Sequence, residues 1–151
     1  TILLNLADLE RYFNSLPPPS RLSSSLLLMD INPEGMLSHM SDIDQLANRQ
    51  QEIEVELLLE IPANYQILHW QLGKLIVMLP DTDATHAHNF ALNMMEKLNG
   101  NGLGEGISIG IAGYQEGQTL EQYLNNAEIA LKRAKQNNDQ NIGQAFTRHQ
   151  S

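Results

Sequence analysis

Two apolar runs, Tyr65–Trp70 and Leu75–Leu79, are separated by only Gln71-Leu72-Gly73-Lys74. Parallel strands need a crossover of a dozen residues or more, so strands this close must form an antiparallel β-hairpin. Gly73 can adopt the positive φ that a tight turn demands. Pro62-Ala63-Asn64 turns the chain before the hairpin, and Pro80 closes it. A further apolar run, Leu26–Ile31, is broken by Asp30, Asn32 and Pro33 and reads as a buried central strand. Ile107-Ser108-Ile109-Gly110-Ile111 alternates apolar with small residues, as a strand packed on one face does.

Helical periodicity fills the intervals. Over residues 2–16, Leu3, Leu6, Leu9, Tyr12, Phe13 and Leu16 recur at three- and four-residue steps, and Pro17-Pro18-Pro19 ends that helix. Residues 20–25 read as loop. Apolar steps from Met36 through Met40, Ile43, Leu46, Ile53 and Leu57 to Ile61 predict one long helix, or two broken near Asn48–Gln51. Asp83 caps a helix whose inner face is Ala87, Phe90, Ala91, Met94 and Leu98. Thr119 and Gln122 form a capping box for a last helix that Asn137–Asn141 ends. The order predicts an α/β (α+β) chain with a ferredoxin-like, palm-type sheet, mainly antiparallel and flanked by helices.

The charge balance narrows the partners. A net charge of -9 repels polyanions, which excludes general nucleic-acid binding. There is no cysteine, hence no disulfide and no thiolate metal site, which fits a reducing cytoplasm. Leu26-Leu27-Leu28-Met29 is far too short to span a bilayer, so no membrane insertion is expected, although a membrane-anchored protein could carry the domain. The chain opens at Thr1, as expected for a single domain, residues 1–151, excised from a longer multidomain protein.

Four strings in this order resemble the GGDEF (diguanylate cyclase-like) family, whose members condense two GTP molecules into cyclic di-GMP. Leu27-Leu28-Met29-Asp30-Ile31-Asn32 resembles the family's L-L-x-D-[IV]-D strand, and Leu75-Ile76-Val77-Met78-Leu79-Pro80 its F-A-V-L-L-P. Ile107-Ser108-Ile109-Gly110-Ile111-Ala112 resembles V-S-I-G-V-A, and residues 127–135 resemble A-D-x-A-L-Y-x-A-K. The resemblance covers nearly the whole chain.

It also implies that the catalytic signature is lost. The G-G-[DE]-E-F turn falls on Gln71, Leu72, Gly73, Lys74 and Leu75. Side chains stand where paired glycines would admit GTP. Gly73 offers no metal ligand, and Lys74 reverses the charge of an acid. Asp30 alone remains of the metal set, Asn32 replacing the second strand aspartate. One carboxylate is a poor Mg²⁺ cage, and phosphoryl transfer leans on metal and electrostatic stabilisation. The base-reading positions fall on Ser38 and Ala47, and Ala47 cannot bond a base. Lys135 matches the phosphate-facing lysine, but the arginine after it is Asp139. The R-x-x-D inhibitory window is Pro62-Ala63-Asn64-Tyr65, with neither charge. Catalytic residues, metal and cofactor are therefore expected to be absent.

Other constellations read more plainly as structure. His86-x-His88 points two rings to different helix faces, unlike an i,i+4 zinc pair. His69, beside Trp70, reads as a core or edge residue. Gly100, Gly102, Gly104 and Gly106 lack the strand-before, helix-after setting of a phosphate loop. Ser108 and Asp30 have no histidine or nucleophile elbow to make a hydrolase. Met36, Met40, Met94 and Met95 at helical spacing read as core filler. The expectation is an inactive GGDEF-like regulatory module in bacterial cyclic di-GMP signalling. Its partner would be an adjacent EAL or sensor domain, another protein or a second copy. The alternative is a sensor that binds GTP or cyclic di-GMP without turnover.

Overall fold

A computed structural model describes residues 2–3, 5–32, 40–136 and 142–144. Its strands are β1 (Ile2–Leu3), β2 (Ser25–Asp30), β3 (Gln66–Gln71), β4 (Lys74–Leu79), β5 (Ser108–Gly113) and β6 (Ile142–Gln144). Its helices are α1 (Leu6–Ser15), α2 (Pro18–Leu22), α3 (Met40–Glu60), α4 (Ala84–Gly100) and α5 (Leu120–Gln136). The strands form one six-stranded sheet in the order β1-β3-β4-β2-β5-β6. The inner pairings are antiparallel, and the short edge strands β1 and β6 join parallel. β2-α3-β3-β4-α4-β5 is the expected β-α-β-β-α-β core.

Period-two alternation divides the apolar residues between two cores. Leu27, Met29, Leu75, Val77, Ile109 and Ile111 face α3 and α4, where Leu46, Ile53, Leu57, Ala91 and Leu98 meet them. Leu26, Leu28, Ile76 and Met78 face the other way, onto Leu9 and Phe13 of α1 and Tyr123, Ala127 and Leu131 of α5. Every residue of β2 is buried, as a central strand sandwiched between helix layers requires. Gly110 lets α5 lie against the sheet: a Cβ there would sit 2.3 Å from the Ala127 carbonyl oxygen.

Several sequence expectations are corrected. Residues 2–3 are a strand, and α1 starts after Asn5, whose side chain accepts from Asp8 N at 2.9 Å. Pro17–Pro19 does not simply stop α1. Pro18 and Pro19 open α2, where missing amide donors cost nothing, so residues 20–22 are helical rather than loop, and Ser25 already belongs to β2. α3 runs unbroken through Asn48–Gln51. Gln71 and Lys74 belong to the strands, which leaves a two-residue turn, Leu72-Gly73, with φ of +89° at Gly73. Asp83 caps α4 by accepting from His86 N at 2.9 Å. Thr119 and Gln122 exchange both capping-box hydrogen bonds. The expected helix stop at 137–141, together with Ser38 and Asp139, lies outside the described residues.

Candidate functional site

The positions singled out by sequence converge at one end of the sheet. Asp30 ends β2, with Lys74 opposite it on β4 and Ser108 opposite it on β5. By strand parity Asp30 and Lys74 both face α5, which carries Glu128 and Lys135 two turns apart.

There the charges satisfy one another. Lys135 Nζ donates to Asp30 Oδ2, and Asn32 N donates to Asp30 Oδ1 at 2.9 Å. The Asp30 side chain is 7% exposed and that of Lys135 is 48% exposed. Lys74 Nζ lies 3.6 Å from Glu128 Oε1. The acid and the lysine that the sequence resemblance singles out are thus bonded to each other.

The turn is held as firmly. Gly73 O accepts from Ile31 N at 2.9 Å, and Gly73 N donates to Gln50 Oε1 at 2.9 Å. A Cβ on Gly73 would lie 3.1 Å from Asn32 Cβ and 3.4 Å from Leu46 Cδ2. Arg49 Nε donates to Ile31 O at 3.0 Å and its guanidinium also reaches Glu105 O, tying α3 to the end of β2 and to the loop before β5. Gln50 and Arg49 are contributors that sequence reasoning missed. Both sit in a polar stretch of α3 whose spacing carries no signal for them. Asn32 Oδ1 is buried and receives no hydrogen bond.

Beside the turn, between α3 and β3, lies a pocket of about 490 Å³ lined by Ala47, Gln50, Glu54, His69, Gln71 and Leu72. His69 is not a core residue: its side chain is 42% exposed and its Nε2 contacts the buried Glu54. In the Pro62–Tyr65 segment, Tyr12 Oη donates to Asn64 O at 3.0 Å and Tyr65 Oη lies 3.1 Å from Thr82 Oγ1. His86 Nδ1 lies 2.7 Å from Asp83 Oδ1 at the α4 cap. The Asp83 carboxyl is held below its ordinary value, first by the His86 backbone amide and then by the His86 ring. Among the described residues no cluster of three or more His, Asp or Glu side chains is placed to hold a metal ion.

No protein-family model and no curated protein matches the sequence. Solved structures do match. The GGDEF domain of DgcB from Caulobacter crescentus, in complex with c-di-GMP, superposes with a TM-score of 0.73 at 13% identity, over 95% of this chain and 89% of that one. The fold is that of a GGDEF domain. LapD of Vibrio cholerae, an S helix-GGDEF-EAL protein bound to c-di-GMP, matches with a TM-score of 0.68 at 16% identity. That match covers 95% of this chain but only 36% of LapD. Diguanylate cyclase SiaD of Pseudomonas aeruginosa, in complex with its activator SiaC, matches with a TM-score of 0.66 at 19% identity, over 87% of this chain and 55% of that one.

Proposed function

We propose that this chain is a catalytically silent GGDEF-like module that acts in cyclic di-GMP signalling through contacts with a neighbouring domain or a partner protein in the cytoplasm. The carrying observation is the Asp30–Lys135 ion pair: the remaining acid is already neutralised by the remaining phosphate-facing cation. A pair of divalent ions needs several hard oxygen ligands, and Gly73 and Lys74 add none. A partner domain is in keeping with the GGDEF-EAL arrangement of LapD, and a partner protein with the SiaD–SiaC complex. Helices packed on both faces of a sheet can transmit a partner's contact only if they have two arrangements with different contacts.

A second reading, a nucleotide sensor without turnover, has the open pocket beside Leu72 in its favour. Ala47 gives a base nothing to bond there. The deciding experiment incubates the domain with GTP and Mg²⁺ or Mn²⁺ and measures cyclic di-GMP by chromatography. No product is expected, and multiple turnovers would overturn the proposal.

A further inference from the structure

We propose that the pocket between α3 and β3 receives an arginine side chain from a partner protein, with the Glu54 carboxylate as its anchor. The proposal rests on reading the domain as an interaction module.

The floor of the pocket holds an incompletely satisfied charge. The Glu54 side chain is 7% exposed, and its Oε1 is fully buried. Oε1 is in ion-pair contact with His69 Nε2, itself half exposed, but no hydrogen bond reaches that oxygen. A carboxylate so far from water is costly until a donor pairs with it. The pocket stays open beside it, at about 490 Å³, within the usual range for binding sites.

The lining selects the ligand's sign and shape. No Lys or Arg lines the pocket, and its one imidazole, His69, already contacts Glu54, so a phosphate entering it would meet a carboxylate and no further cation. The chain as a whole carries -9, which draws a basic partner towards it. The amides of Gln51 and Gln71 line the same pocket and add carbonyl acceptors, whereas Gln50 Oε1 is already taken by Gly73 N. A planar guanidinium with five donors can bond a carboxylate and two amide oxygens together, which a compact ammonium does less well. Leu72, 44% exposed at the turn, offers apolar surface to the aliphatic stem.

The test is an amide-resolved NMR titration of the folded domain with N-acetyl-arginine amide, and in parallel with the uncharged isostere N-acetyl-citrulline amide and with GMP. Saturable shifts centred on Glu54, His69, Gln71 and Leu72 are expected with the arginine compound alone. Glu54→Gln, checked by its own spectrum to be folded, should weaken that binding about tenfold or more, as loss of a charge-assisted hydrogen bond implies. Equal shifts with the citrulline compound, saturation of the same amides by GMP alone, or no shifts with any of them would overturn the site. None of these outcomes bears on catalytic silence, which cyclic di-GMP formation tests separately.

Discussion

Lys135 Nζ of α5 donates to Asp30 Oδ2 at the end of β2, joining two residues 105 positions apart in the chain. The two partners differ in surroundings: the aspartate is buried, whereas the lysine can swing into water. Their substitutions should therefore be unequal. Lys135→Ala strands a buried charge and should cost about 1–2 kcal/mol, less than a fully buried pair because the lysine is half exposed. Asp30→Asn keeps an acceptor for Asn32 N, frees Lys135 to hydrate, and should cost well under half as much. Urea denaturation of both variants and the double variant measures the asymmetry. Equal costs would show that the pair adds little.

An acidic side chain placed at the turn should damage the fold. Gly73 has φ of +89°, and its Cβ position is 3.1 Å from Asn32 Cβ. Gly73→Asp should cost roughly 1–2 kcal/mol for the left-handed backbone alone. The melting temperature should fall by about 2–8 °C in a chain of this size. Differential scanning calorimetry checks this. An unchanged or raised Tm would mean that the turn readily adopts a different shape.

Gly110 is expected to be intolerant for a different reason, close approach rather than φ. Its missing Cβ leaves room for the Ala127 carbonyl oxygen and for Leu131 N, at 2.3 and 2.4 Å from where that atom would be. Gly110→Ala must push α5 off the sheet and should cost about 3 kcal/mol, the upper end for overpacking. Circular dichroism during thermal unfolding reads it out, and a loss below about 1 kcal/mol would show that α5 shifts freely.

Alkaline stability should be set by two tyrosines. Burial, and then the Asp81 carboxylate, raise Tyr12 to about 12. Tyr123 is raised further by deeper burial, partly offset by its hydrogen bond with Ser24. Unfolded tyrosines ionise near pH 10, so above that the unfolded chain binds fewer protons than the folded one. The stabilisation from Tyr12 is therefore complete below about pH 10 and is lost as the pH rises through about 12. Tyr12→Phe should flatten that decline and Tyr123→Phe should flatten it more, as measured by urea unfolding at several alkaline pH values. Unchanged slopes would contradict the assigned burial.

The sheet was legible because its strands carry strong local signals. Leu26–Met29 is apolar throughout, and Gly73 between two apolar runs leaves few turns to choose from. β1 and β6 are silent in the sequence because two or three residues carry no periodicity. α2 is hidden because proline stops a helix in its interior but favours a start at the first helical positions. The candidate positions were legible by resemblance, but their bonding was not. Lys135 and Asp30 are brought together only by the docking of α5, and Gln50 reaches Gly73 from a helix face that reads as ordinary solvated surface. Glu54 carries no sequence signal that separates it from the other acids of α3; its burial comes from the hairpin folding beside that helix.

Isothermal titration of the domain with GTP in the presence of Mg²⁺ tests most directly whether Lys135, rather than a metal ion, neutralises Asp30. The predicted result is no saturable heat at micromolar nucleotide, and no change when Mn²⁺ replaces Mg²⁺. Saturable, metal-dependent binding that disappears in Asp30→Asn would contradict it.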